Sequence, residues 1–157
     1  MARYRFLTTW LLEAPRERVW GRLEDAVSWP RWWQGVVSVR ALDPGDERGV
    51  GGRHAIAWRS SIPYPVEFEF HTDEVDAPRH MAGRATGDLE GTGEWRLWEE
   101  RGVTAVVFDW DVRMTKPWMN ALAPLAGPVF RWNHDQVMRR GGKGLAESLG
   151  VPLIAHG

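Results

Sequence analysis

The alternation of apolar and polar residues predicts one strand at the start of the chain and several more across its middle. From Tyr4 to Leu12 every second side chain falls on one face, in the order Tyr4, Phe6, Thr8, Trp10 and Leu12. Between residues 36 and 115 the same period recurs, and turn-rich segments such as DPGDERGVGG separate the runs. Because short turns join antiparallel strands, we expect an antiparallel sheet of about seven strands.

Most of these strands have one apolar and one polar face. Val37, Val39 and Ala41 fall on one face of an early strand, and Val66, Phe68 and Phe70 alternate with Glu67, Glu69 and His71 in a later one. The last strand directs five apolar residues inward, namely Val106, Phe108, Trp110, Val112 and Met114. Asp109 and Asp111 therefore fall on the solvated face, although paired carboxylates can also divide acid and base roles.

Two short helices are predicted after the first strand. Pro15 suits the first position of a helix, and Val19, Leu23 and Val27 follow at a spacing of four. The segment Ser28–Trp33 combines an N-cap-like serine with a proline, which predicts a second short helix or turn that ends near Gly35.

A helical period covers Trp118–Leu149, and Pro124, Gly127 and Pro128 predict a break between a first piece and the main helix. One face of the main helix carries Phe130, His134, Val137, Met138, Gly141, Leu145 and Leu149. The Gly141-Gly142 pair costs roughly 1 kcal/mol per glycine relative to alanine. It ends the helix early, lets the backbone approach the sheet, or leaves empty volume beneath the helix.

Length and charge narrow the class of protein. A chain of 157 residues fits a single domain spanning residues 1–157. The net charge is −1 with no basic stretch, so we expect no nucleic-acid partner. No apolar run approaches a membrane span, which predicts no membrane insertion, and the absence of a signal-peptide pattern predicts a cytoplasmic protein.

Tryptophan is the unusual feature of the composition, with 11 residues of this type. Each indole buries roughly 150–250 Å², and its N–H needs a partner when it is buried. So many rings are difficult to pack into one dry core of this size. We therefore expect some of them to line a cavity; the alternative is that all of them are structural or lie on the surface.

Two motifs near the N-terminus carry a family resemblance. Residues Glu13–Trp20 read EAPRERVW, and residues Trp29–Trp33 read WPRWW. Together with the order of elements, they resemble the START-like or helix-grip superfamily, in its polyketide cyclase/dehydrase and lipid-transport (SRPBCC) branch. The resemblance covers roughly Arg3 to Leu149. It implies an α+β domain in which a curved sheet wraps a long C-terminal helix, with a ligand cavity between them and the second short helix as a lid.

The combined pattern predicts a cavity for a small hydrophobic ligand. The expected lining residues are Trp10, Trp32, Trp33, His54, Trp58, Tyr64, Phe68, Trp95, Trp110, Trp118, Asn133, His134 and Met138.

His134 is the candidate catalytic residue, because it lies on the apolar face of the long helix. A histidine there can orient a hydroxyl or carbonyl group or act as a general acid or base. The structural alternative is a neutral buried histidine bonded to a backbone carbonyl or a strand carboxylate. For His54 the alternative is a strand register that turns the ring away from the cavity.

The sequence predicts no metal and no cofactor. His71, His80 and His156 lack metal-ligand spacing, and there is no cysteine. The glycines of GDLEGTG match neither the Walker nor the dinucleotide spacing, which favours a hairpin or bulge.

Three functions remain open. The first is binding of a small apolar or aromatic molecule, polyketide-like or lipid-like, in the internal cavity. The second is a cyclase or dehydratase in which His134 moves a proton. The third is a co-chaperone-like protein-interaction module, which would use exposed tryptophans such as Trp98.

Overall fold

The computed structural model describes residues 3–59, 65–116 and 123–157, with the side chains of the last range described from residue 127 onward. The elements are, in order, β1 (Arg3–Leu12), α1 (Arg16–Glu24), a 3₁₀ turn (Ala26–Ser28), α2 (Trp29–Trp32), β2 (Val36–Asp43), β3 (Arg53–Trp58), β4 (Val66–Asp76), β5 (His80–Gly87), β6 (Leu89–Glu100), β7 (Val103–Met114), α3 (Ala123–Leu149) and β8 (Leu153–His156).

The described strands form one sheet in the order β2-β3-β4-β5-β6-β7-β1-β8, and every neighbouring pair is antiparallel. The sequence prediction of an antiparallel sheet, two short helices and a long C-terminal helix is confirmed. The sheet has eight strands, one more than the pattern indicates. The additional strand is β8, which covers Leu153–His156 and pairs with the end of β1 through Trp10 and His156.

One side-chain assignment from the alternation is wrong. The alternation groups Val37 with Val39 on one face, but Val37 is 57 % exposed, whereas Val36 and Val39 are buried. The pairing of β2 with β3 shifts register between Val36 and Ser38. A bulge of this kind inserts one extra residue and reverses the direction of the following side chains.

The predicted break in the long helix is also wrong, because α3 runs without interruption through Pro128. Proline removes one backbone donor and crowds the carbonyl four residues earlier. Pro128 is the sixth residue of α3. The lost hydrogen bond therefore lies in the first two turns, next to the four N-terminal N–H groups that have no intrahelical partner, so one more missing bond does not divide the helix.

The glycines of α3 allow two indole rings to pack directly against the helix backbone. A Cβ atom on Gly141 would lie 2.5 Å from the Trp33 ring and 2.9 Å from the Trp10 ring. A Cβ atom on Gly142 would lie 2.8 Å from Trp10. The indole N–H of Trp33 donates a hydrogen bond of 2.8 Å to the carbonyl of Val137 in the same helix. Of the three roles open for the Gly141-Gly142 pair, close approach is the one observed.

The outer face of the sheet is polar, as the alternation predicts for Asp109 and Asp111. Arg3 donates to Asp111 at 2.8 Å, and Arg5 donates to Asp109 at 2.9 Å. These ion pairs lower the pKa of Asp111, mainly through the hydrogen bond from Arg3. Because both carboxylates are paired and face solvent, they do not take part in an interior site.

Replacement of Gly141 tests how closely the helix and the indoles approach. We expect Gly141→Ala to lower the free energy of unfolding by about 1–3 kcal/mol, because overpacking against Trp33 outweighs the gain in helix propensity. Gly21→Ala is the matched control, since a Cβ atom on this glycine of α1 meets nothing within 4 Å. The control should be neutral or stabilising in urea unfolding. Equal effects of the two substitutions would contradict the close approach.

Candidate functional site

Two small, mainly apolar chambers in the described part of the chain lie between the sheet and the helices, and each has a histidine in its wall. The first, which we call the His134 chamber, has a volume of about 60 Å³ and receives Asn133 and His134 from α3. Its apolar walls include Tyr4, Phe6, Leu89, Val112, Met114 and Phe130. The second, which we call the His54 chamber, has a volume of about 80 Å³ and is lined mainly by aromatic rings, among them Trp29, Trp33, Phe68, Trp95 and Phe108. Trp58 and Trp110 line both chambers.

The His134 chamber contains buried polar atoms that have no partner. Asn133 is 4 % exposed and His134 is 8 % exposed. Neither the amide oxygen and nitrogen of Asn133 nor the two ring nitrogens of His134 make a hydrogen bond within the described part of the chain. Buried polar groups are normally satisfied, and each one left unpaired costs about 1–3 kcal/mol. The pair therefore has unused capacity to bind a polar group that enters the chamber.

Packing holds the His134 ring in place without a hydrogen bond. The ring stacks on Phe6, with 3.8 Å between centroids and an interplanar angle of 12°. The nearest carboxylate oxygen, from the exposed Asp135, lies 4.0 Å from Nδ1. The structural alternative raised from the sequence, a histidine bonded to a backbone carbonyl or a strand carboxylate, is absent among the described residues.

Burial determines the charge of His134. Desolvation lowers its pKa from 6.5 to about 4, so the ring is neutral at pH 7. A neutral imidazole offers one donor and one acceptor, and the carboxamide of Asn133 offers both. Together they can bind a hydroxyl or carbonyl group. At neutral pH an imidazole with this pKa is a weak base, and almost none of it carries the proton that an acid must donate. The environment of His134 therefore favours orienting a ligand group over transferring a proton.

The His54 chamber is built mainly on stacked rings from the central strands. Trp95 stacks on Phe108 with 4.1 Å between centroids, and Phe108 stacks on Trp110 with 5.5 Å. His54 lies on β3 opposite Phe70 of β4 and is half-buried. Its ring faces the chamber, and burial lowers its pKa. The chamber thus offers aromatic surface together with the imidazole of His54, the carboxylate of Glu24 and the hydroxyl of Thr72.

Comparison with known proteins places the chain in a family. A family model described as polyketide cyclase/dehydrase and lipid transport matches residues 5–150. The chain belongs to this family. No curated protein matches the sequence.

Several solved structures have the same fold as this chain. The aromatase/cyclase ZhuI of Streptomyces sp. R1128 is 15 % identical, with 95 % of this chain and 94 % of that chain covered and a TM-score of 0.78. A protein of Thermus thermophilus is 17 % identical over 94 % and 99 % of the two chains, with a TM-score of 0.73. A START superfamily protein of Mycobacterium smegmatis is 13 % identical over 92 % and 98 %, with a TM-score of 0.71. At these identities the likeness concerns the fold alone.

The polyketide cyclase/dehydrase and lipid transport family hosts different activities on one fold, so the site residues must be placed individually. Of the predicted cavity residues, Asn133 and His134 line the first chamber. Trp33, His54, Phe68 and Trp95 line the second, and Trp58 and Trp110 line both. Tyr64 and Trp118 lie outside the described residues.

Three predicted cavity residues line neither chamber. Trp10 is 1 % exposed and packs between Trp33 and Trp95, with ring centroids 5.6 and 5.8 Å away. Trp32 stacks on Trp33 at 5.6 Å, and Met138 is buried beneath α3. Trp10 and Met138 instead border a more polar pocket of about 140 Å³ between β1, β8 and α3, which Asp135 and Arg139 also line. The sequence pattern identifies their inward direction but not which of them meets empty volume.

Several wall residues of the His134 chamber were absent from the predicted site, namely Tyr4, Phe6, Leu89, Val112 and Phe130. The alternation of apolar residues could have identified Tyr4, Phe6 and Val112, because it places them on the inward faces of β1 and β7. The stacking of Phe6 on His134 joins elements that are distant in sequence, and no local pattern indicates it.

Two negative findings apply to the described residues. None of the helices there has a stretch of high enough mean hydropathy and low enough charge to span a membrane. No cluster of three or more histidine and carboxylate side chains occurs there that could hold a metal ion.

The low pKa of His134 makes stability depend on pH. Unfolding exposes the ring and returns its pKa to about 6.5, so the unfolded chain binds more protons between pH 6.5 and 4. The stabilisation is complete above pH 6.5 and falls by up to roughly 3 kcal/mol as the pH drops towards 4. Urea unfolding at pH 7 and pH 4.5 should show a smaller difference in His134→Phe than in the wild type. An NMR titration that gives His134 a pKa near 6.5 would contradict its burial.

Proposed function

We propose that this protein binds an uncharged, small apolar or aromatic molecule through a hydroxyl or carbonyl group that Asn133 and His134 hold. The observation that supports this function is the set of unpaired polar atoms on these two side chains in a buried, otherwise apolar chamber. A ligand hydroxyl can donate to one of the acceptors and accept from one of the donors. Binding would then recover the hydrogen bonds that the free protein leaves unmade.

The chamber selects against charged ligands. Among the described residues, no carboxylate, lysine or arginine lines it, and burial keeps His134 neutral at pH 7. A carboxylate or ammonium group would lose its hydration without gaining a countercharge, which costs far more than burying a neutral polar group. We therefore expect phenols, alcohols and ketones to bind in preference to acids and amines.

The walls favour an aromatic ligand, but the volume limits what fits. Tyr4 and Phe6 are nearly parallel, with 5.9 Å between their centroids, and Phe130 meets Tyr4 edge-on. A chamber of about 60 Å³ is smaller than the roughly 150 Å³ that holds a benzene molecule. The polar end of a ligand fits beside Asn133 and His134, and its remaining part needs adjacent space.

A cyclase or dehydratase is the second candidate function. Its support is the fold shared with the aromatase/cyclase of Streptomyces and the position of His134 inside the chamber. Such an enzyme would use His134 to move a proton while the cavity holds the substrate. The low pKa of His134 favours binding over catalysis, and so does the absence of a second histidine or a carboxylate among the described residues of this chamber.

A protein-interaction role is the third candidate, and it rests on two exposed tryptophans. Trp98 on the outer face of β6 is 54 % exposed, and Trp132 on α3 is 52 % exposed.

A cytoplasmic location stays a prediction from the sequence.

Substitution of Asn133 by leucine, a residue of similar size, separates binding from stability. Because the amide is buried without a partner, we expect Asn133→Leu to raise the free energy of unfolding by about 1–3 kcal/mol. The same change should weaken the binding of 2-naphthol about tenfold, measured by isothermal titration calorimetry, because one ligand hydrogen bond is lost. Trp98→Ala is the control and should leave the affinity unchanged.

Two outcomes would contradict the binding function. A loss of stability in Asn133→Leu would mean that the amide has a partner in the folded protein. Unchanged affinity in both Asn133→Leu and His134→Phe would mean that the ligand binds elsewhere. If His134→Phe instead retains binding while turnover of a cyclase-type substrate disappears, the second candidate replaces the first.

A further inference from the structure

Two tryptophan rings separate the chambers. Trp58 of β3 and Trp110 of β7 are the described residues that line both the His134 and the His54 chamber. Their ring centroids lie 6.3 Å apart, with an interplanar angle of 65°. The interior is therefore divided by indole side chains, not by backbone.

Trp110 is fixed by its surroundings. It is 2 % exposed and lies on β7 between β6 and β1. A Cβ atom on Gly93, its neighbour across the β6–β7 pair, would lie 2.8 Å from the Trp110 ring, so the ring covers this glycine closely. On the same strand Phe108 stacks against it. The Trp110 ring therefore has no room to rotate.

Trp58 is held more loosely. It is the last residue of β3, pairs with Val36 of the edge strand β2, and is only partly buried. Its ring meets Phe68 edge-on, with 5.3 Å between centroids. Its indole N–H donates no hydrogen bond to a described residue, whereas the N–H of Trp33 is bonded to the α3 backbone. Among the described residues, rotation of the Trp58 side chain therefore breaks packing contacts but no hydrogen bond.

We propose that Trp58 determines the size of ligand that the interior accepts. With the ring in its present position, each chamber is smaller than the roughly 150 Å³ that holds a benzene molecule. With the ring turned aside, the chambers and the space of the indole become one cavity that extends from Asn133 and His134 towards His54. A ligand held by its hydroxyl group then places its rings against Phe68 and Trp110, where the Trp58 ring packed before. This inference rests on the proposed binding function.

The affinities of a one-ring and a two-ring ligand test this role. Phenol and 2-naphthol carry the same hydroxyl group and differ by one fused ring. We expect Trp58→Ala to raise the affinity for 2-naphthol relative to phenol about tenfold, measured by isothermal titration calorimetry. Trp58→Phe keeps a ring at this position and should give a smaller increase, and it also serves if the alanine variant is unstable. Trp98→Ala removes an exposed tryptophan and should leave the ratio unchanged.

A structural role for Trp58 gives a different result. If the ring is only part of the wall, its removal weakens both ligands together and the ratio stays constant, which would overturn the proposal. In the wild type, the indole N–H signal of Trp58 should shift in NMR spectra when 2-naphthol binds. No shift at saturating ligand would also overturn it.

The two proposals fail in distinguishable ways. If Trp58→Ala changes the ratio but Asn133→Leu in the same background does not weaken 2-naphthol, Trp58 keeps its role and the proposed polar contact is wrong. If the ratio is constant while phenol binding depends on Asn133, the binding function stands and the role of Trp58 is wrong. If neither compound binds, a crystal structure of Trp58→Ala under xenon pressure still tests whether Trp58 separates the two chambers. Xenon in one continuous cavity supports this role of Trp58. Xenon in two separate sites refutes it.

Discussion

The contact between the glycines of α3 and two indole rings determines how the interior is arranged. Gly141 and Gly142 lie against Trp33 and Trp10, and a Cβ atom on Gly144 would meet the carbonyl oxygen of Trp32. Since no side chain separates them, α2, β1 and the C-terminal half of α3 form one closely packed unit. In the N-terminal half of α3, Phe130, Asn133 and His134 face the sheet, and the His134 chamber lies there. The helix thus packs closely at its C-terminal half and borders the chamber at its N-terminal half.

The interior contains two buried polar side chains, Asn133 and His134, and two indole rings, Trp58 and Trp110, that separate its chambers. Asn133 and His134 are buried without partners among the described residues, which lowers the stability of the protein. Folded proteins retain such groups where function requires them, and replacing them commonly stabilises the fold. The neutral charge of His134, the apolar walls and the division of the interior by Trp58 and Trp110 are compatible with a binding site that takes an uncharged ligand and adapts to its length.

The sequence predicted the elements of the fold better than the empty space between them. Strict alternation in β1 and β7 and the apolar face of α3 identified the inward side chains, among them His134 and Trp110. The bulge that exposes Val37 and the pairing of β8 depend on contacts with other strands, which a local period does not contain. The continuity of α3 through Pro128 also depends on its position near the helix end. Trp10 and Trp58 have the same inward pattern, yet one fills the core and the other borders both chambers, because the outcome is decided by glycines of a distant helix.

A crystal structure of the wild-type protein with 2-naphthol, at a resolution that defines side-chain hydrogen bonds, tests the central claim most directly. The naphthol oxygen should lie within hydrogen-bond distance of Asn133 and His134, in a site without charged side chains. If Asn133 and His134 are bonded to other groups of the protein and the naphthol lies elsewhere, the chamber is not the binding site.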